Sequence, residues 1–189
     1  FAVGDALAVP RHPTLLPHDA ATPSQMLDRL RCDGAGPIGT FDQVIDREAR
    51  RVFNTVIGND PRPHYCHQSN LVGADGGESV APILCVLLDA VLDRYHAHIT
   101  PDVPLEQPTL GQAGRVLQRR RAWRRALALG LVSAHTCPAQ VTIVNRSAQA
   151  VEIPLTGTVA GERYGSCNSG WLAAMPGTTV IEREAGAGA

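Results

Sequence analysis

The residues best equipped for chemistry sit together in one stretch, Asn59-Asp60-Pro61-Arg62-Pro63-His64-Tyr65-Cys66-His67-Gln68-Ser69-Asn70-Leu71. An imidazole titrates close enough to neutrality to give or take a proton in a hydrolytic step. His67 is therefore the first candidate catalytic residue and His64 the second. Tyr65, Gln68 and Asn70 offer hydrogen bonds that would orient a histidine or hold a substrate hydroxyl. Arg62, stiffened between two prolines, could stabilise an oxyanion or a carboxylate. Arg11 joins them as a candidate substrate contact, because Pro10 and Pro13 force an extended chain just past a short strand at 6–9.

Other chemistries fit this stretch less well. Pro63 bars a helix through His64, and positions i and i+3 of an extended chain face opposite ways. The two histidines would share a metal only if the loop turned sharply between them. The metalloprotease pattern of two histidines four apart is absent. Cys66 as a nucleophile would need a base and an orienting group, and between two opposite-facing neighbours it reads as a small buried group. No Gly-x-Ser-x-Gly elbow, phosphate loop or dinucleotide fingerprint occurs. Cys32, Cys66, Cys85, Cys137 and Cys167 form no Cys-x-x-Cys pair, so no structural zinc site is expected and no metal ligand is assigned. Cys137 and Cys167, both in the β-rich tail, are the pair that could bridge.

The elements that must carry this stretch can be read from capping and periodicity. Thr22-Pro23-Ser24-Gln25 is a capping box with proline at the first helical position, and Met26, Leu27 and Leu30 supply an apolar face. Thr40-Phe41-Asp42-Gln43 opens a second helix to about Ile57. Its apolar stripe is Ile45, Ala49, Val52, Phe53 and Val56, and Gly58 is expected to stop it. After the Gly-rich run 73–77, Ser79 is expected to start a third helix through about Tyr95, apolar over most of its circumference and so expected between layers. Thr109-Leu110-Gly111-Gln112 opens a fourth, ending at Gly130. Beyond it, short β-prone runs at 141–145, 150–155, 170–173 and 178–182 alternate with turns.

Composition narrows the partners. The net charge of −1 gives no electrostatic case for nucleic acid or a membrane surface. All seventeen basic residues are arginine, and six of them (Arg115, Arg119, Arg120, Arg121, Arg124 and Arg125) fall in the fourth helix. Without an aromatic platform these read as a solvated helix face. The longest apolar run, 80–91, is broken by Pro82 and Asp89 and falls short of the roughly 18 residues of a membrane span. The chain opens on Phe1 with no export signal, and is expected to be a piece of a longer polypeptide.

Val9-Pro10-Arg11-His12-Pro13-Thr14, the 59–71 stretch, Leu87-Leu88-Asp89-Ala90-Val91-Leu92-Asp93-Arg94-Tyr95 and Pro108-Thr109-Leu110-Gly111-Gln112 together resemble the later part of secreted exopolysaccharide N-deacetylases. These are NodB-like enzymes of the galactosaminogalactan type. The resemblance implies the C-terminal part of a distorted (β/α) deacetylase barrel over 1–130. A small all-β, sandwich-like module would follow over 131–185, with a disordered tail at 186–189. It implies hydrolysis of N-acetyl groups on an amino-sugar polysaccharide, outside the cell or at its surface, with a divalent metal, zinc foremost, in the full-length enzyme. Alone, this fragment would be inactive. His67 takes the role of the late histidine that protonates the leaving amine. Gly39-Thr40-Phe41-Asp42 looks like the Thr-Phe-Asp strand end of such enzymes, but helix capping explains it better. The competing expectation is a non-catalytic carbohydrate-binding or adhesion module, with Trp171 and Tyr164 stacking on sugar rings.

Overall fold

The computed structural model describes residues 2–3, 6–34, 37–72 and 81–185. The run 73–77, the helix start at Ser79 and the tail 186–189 lie outside the described residues. Two compact units part between Ile99 and Thr100.

In the first unit, β1 (Ala2–Val3) pairs antiparallel with β2 (Ala6–Leu7), and β3 (His12–Pro13) follows. Helix α1 (Pro23–Cys32) starts where Thr22 accepts from the Gln25 amide. Helix α2 (Phe41–Ile57) starts where Thr40 and Gln43 exchange side-chain bonds with each other's backbone. Thr40 is thus the cap and Asp42 lies in the first helical turn, as the alternative to a catalytic strand end required. Strand β4 (His64–Tyr65) returns to pair in parallel with β3, and a 3-10 turn (Gln68–Leu71) leads towards α3 (Ile83–His98). Met26, Leu30, Val44, Ile45, Ala49, Ile83, Leu87 and Val91 meet in one core with Leu16 and Ile38. Burial of these side chains, at roughly 25 cal/mol per Å² of apolar surface, drives the docking of the three helices. Helix α3 buries only the stripe Ile83, Leu87 and Val91, and its Leu88 and Leu92 are exposed. It is not enclosed between layers among the described residues. No closed barrel forms among them either; the β/α element present is β3 and β4 with α1 and α2 between.

In the second unit, α4 (Leu110–Ala128) begins at the Thr109 capping box. It ends in a Schellman motif: the amides of Gly130 and Leu131 return to the carbonyls of Leu127 and Ala126, with Gly130 at φ +65°. Strands β5 (Val132–Thr136), β6 (Gln140–Asn145) and β10 (Gly177–Glu182) form one antiparallel sheet, ordered β10-β6-β5. Strands β7 (Val151–Thr156), β8 (Glu162–Tyr164) and β9 (Cys167–Ala174) form the other, ordered β7-β9-β8. Pro154 sits on the edge strand β7, where its missing N–H leaves no gap in the ladder. Val132, Val141, Ile143 and Ile181 share a core with Ile153 and Ala174 of the second sheet and with Ala126 of α4. The helix therefore belongs with the strands. The division expected near residue 130 falls about a helix and a connection earlier, and the expected all-β module carries a helix. Cys137 and Cys167 are both free thiols, so the bridge considered for them is not formed. No described helix is long and apolar enough to cross a membrane.

Candidate functional site

The 59–71 stretch begins as the end of α2. Gly58 has an ordinary φ of −71°, and the left-handed residue is Asn59, at φ +52°. The amides of Asn59 and Asp60 return to the carbonyls of Val56 and Thr55, a second Schellman motif. The reversal throws Asp60 back across the helix end. Pro61 and Pro63 then hold the chain extended into β4, where His64 lies opposite His12 and Tyr65 opposite Pro13.

A buried carboxylate fixes β3 from behind. Glu48 on α2 has no exposed surface. Its Oε1 accepts from the Leu15 amide at 3.0 Å, and both oxygens accept from Arg51 at 2.7 and 2.9 Å. Arg51 Nη2 also donates to the Pro13 carbonyl at 2.5 Å. Charge on Glu48 is thereby matched within hydrogen-bond reach, the condition for keeping it buried.

Two groups of side chains result. At the N-terminal ends of the strands, His12 Nε2 lies 3.1 Å from Asp60 Oδ2, and Arg62 donates to both Asp60 oxygens. Its guanidinium holds the Asp60 carboxyl well below the usual carboxylate range. The His64 ring stacks on His12, with centroids 5.1 Å apart. Burial first, then the fields of His12 and Arg51, push the His64 imidazole below its ordinary pKa, so it is neutral at pH 7.

A second group, a rim of planar side chains, runs from the residue before β3 across Tyr65 of β4 to His67. Arg11 stands over the Tyr65 ring at 5.1 Å, Tyr65 meets the edge of His67 at 5.8 Å, and His67 meets His18 at 5.7 Å. Arg11, His18, His67 and Gln68 are exposed. Four of the seven histidines gather in these two groups.

Several expectations change here. Asn70 is fully buried. Its amide donates to the carbonyls of Pro17 and Ala20, each at 2.9 Å, and its Oδ1 accepts from the His67 amide at 3.0 Å. It anchors the loop and cannot reach a substrate. Arg62 is engaged by Asp60 and is not free to meet an incoming carboxylate in this arrangement. Cys66 packs against the core but is only half-buried, where a buried group was expected. Among the described residues, no three His, Cys, Asp or Glu side chains gather where a metal ion could sit. Asp60 already serves Arg62 and His12, so the described residues do not by themselves form a site for the divalent metal that the resemblance implies for the full-length enzyme. His18, Glu48, Arg51 and Asp60 were not singled out from the sequence as site residues, whereas His12 is the neighbour of Arg11 at the same strand end. The glutamate sits one residue before Ala49 in an otherwise apolar stripe, and that misplaced charge was the available signal.

On the second unit, the Trp171 ring is covered by the Arg119 guanidinium at 5.3 Å, and Tyr164 donates its hydroxyl to the Pro104 carbonyl. Trp171 is thereby half-buried with one face occupied, and Tyr164 stays exposed with its hydroxyl engaged.

No protein-family model matches the chain, and no curated protein matches it in sequence. Among solved structures, the crystal structure of Agd3, a carbohydrate deacetylase, superposes with a TM-score of 0.72 over 94% of this chain at 16% identity. The chain spans 29% of the length of Agd3. At that identity the likeness is one of fold: these residues are arranged as in part of a deacetylase.

Proposed function

We propose that this chain forms part of a carbohydrate deacetylase, a hydrolase that releases acetate from the N-acetyl groups of an amino-sugar polysaccharide. The polymer would be met outside the cell or at its surface. The fold likeness to Agd3 supports the reaction class. The observation that carries the reading is the run of planar side chains Arg11, Tyr65, His67 and His18 along a parallel strand pair, three of them exposed and Tyr65 half-buried.

In this reading His67 gives a proton to the leaving amine as the amide C–N bond breaks and water supplies the new C–O bond. Its backbone is tied to Asn70 while its ring stays open to solvent. Tyr65, Arg11 and Gln68 hold the sugar beside it. His64 is the weaker donor, because burial and the neighbouring positive charge disfavour its protonated form. His12, bonded to Asp60 at the start of β3, orients the strand pair. No step is assigned to a metal.

The test is acetate release from an N-acetylated amino-sugar polymer by the complete protein that carries this chain. His67→Ala is expected to lower turnover by about 10²–10⁴-fold with polymer binding retained. His12→Ala is expected to leave most of the turnover. Loss of turnover in His12→Ala with full activity in His67→Ala would transfer the proton-donor role to the His12–Asp60 pair. Absence of acetate release from every N-acetylated polymer tried would end the deacetylase reading.

A further inference from the structure

In the second unit a cleft opens where α4 faces β7 and the turn 147–150. It encloses about 450 Å³, within the roughly 300–1,000 Å³ of small-ligand pockets. Ala122, Ala126 and Leu129 give it apolar lining, and Arg119, Arg125 and Glu152 give it charge. We propose that this cleft binds an anionic sugar. The C–H face of a pyranose would lie on the alanine and leucine side chains, with its carboxylate on Arg125 and Arg119. The inference concerns a second site and does not rest on the deacetylase reading.

Charge is the first argument. Helix α4 carries six arginines and no acidic residue. The unit as a whole has nine of the seventeen arginines and six of the eighteen acidic residues. Among the described residues, Glu152 is the carboxylate that pairs with α4, through Arg119. Arg125 has no partner among them. An anion entering the cleft meets the unpaired Arg125 charge beside an apolar wall.

Preorganisation is the second. Arg119 is fixed twice, by its Nε on Glu152 Oε2 at 3.0 Å and by its stacking over Trp171. That bond uses Nε, so the terminal Nη donors have no protein acceptor among the described residues. The wall formed by the turn is also preset. Buried Asn145 donates to the carbonyls of Gln149 and Ala174, each at 2.8 Å, and accepts from the Ser147 amide. A site whose cation and wall are already ordered loses little entropy on binding.

A nucleic acid fits less well, because single-stranded bases need aromatic faces and the cleft lining has no aromatic side chain. A deacetylated amino sugar fits worse, because its ammonium group carries the same sign as the cleft.

Calorimetric titration of the 189-residue chain tests this, with a short oligogalacturonate, a chitosan oligomer and a single-stranded oligonucleotide as probes. The oligogalacturonate is expected to bind and the chitosan oligomer is not. Arg125→Gln, which removes a charged hydrogen-bond donor, and Ala122→Leu, which fills the cleft, are each expected to weaken binding about tenfold. Arg124→Gln removes the same charge outside the cleft lining and is expected to change affinity less than about twofold. All three positions are exposed, so the variants should fold, which circular dichroism would verify. Three results would overturn the proposal: no binding of oligogalacturonate, equal weakening by Arg124→Gln, or tighter binding of the oligonucleotide.

Discussion

At the scale of single residues, Glu48 has the widest reach. A carboxylate without solvent is stable only while its oxygens are bonded, and Leu15 and Arg51 supply those bonds. Glu48→Gln keeps the shape and loses the charge, and should cost about 2–4 kcal/mol in urea denaturation. The same substitution removes a negative field that raises the His64 pKa, so His64 should titrate lower still. His12→Gln removes a positive field and should raise it. Histidine-resolved NMR titration of the two variants reads both signs. The folded His64 pKa lies below its unfolded value, so the unfolded chain takes up the proton first as pH falls. Stability is therefore full above the ordinary histidine pKa near 6.5 and declines below it. The Asp60 carboxyl, also depressed, removes more only below the ordinary carboxylate range. His64→Gln should flatten the stability profile between pH 7 and pH 5, to be seen in denaturant midpoints across that window.

At the scale of elements, α2 delivers the site because of how it begins and ends. Its capping box starts it at Thr40, and Thr40→Ala should cost about 1 kcal/mol, read as a lower thermal midpoint. Its C-terminal reversal depends on a left-handed residue that is not glycine. Asn59→Gly should be neutral or mildly stabilising, because the φ of +52° suits it. Asn59→Val should lose about 1–2 kcal/mol through a Cβ clash with the backbone, and should disturb the Asp60 contacts with His12 and Arg62. Equal stability of the two variants would show that the turn does not set the site.

At the scale of the whole molecule, the position of α4 defines the second unit. Ala126 enters the core of the two sheets, and Trp123 packs against it. A fragment of residues 100–185 should therefore unfold cooperatively, whereas 131–185 lacks the helix and should show no cooperative transition by circular dichroism. Cooperative folding of the shorter fragment would restore the boundary near 130.

Local determinants are legible in the amino-acid order. The capping boxes at Thr22, Thr40 and Thr109, the helix ends near Ile57 and Gly130, and the runs that became β6, β7, β9 and β10 all depend on neighbours a few residues apart. The 59–71 stretch could likewise be recognised as chemically dense. Long-range pairings were not legible, because they follow from packing between segments dozens of residues apart. Only the parallel register of β3 and β4 brings His12 to His64 and Asp60, and only the burial of α2 places Glu48 under Leu15. Asn70 changed from a substrate contact to an anchor because the 17–20 loop folds over it. Arg119 and Trp171 stack because α4 packs with the sheet that contains Trp171. The sequence by itself determined the four helices, the longer strands β6, β7, β9 and β10, and where reactive side chains cluster. Strands β3, β4, β5 and β8 emerged only with their pairing partners. The tertiary structure alone decided which of those side chains are committed to the fold and which remain open to a ligand.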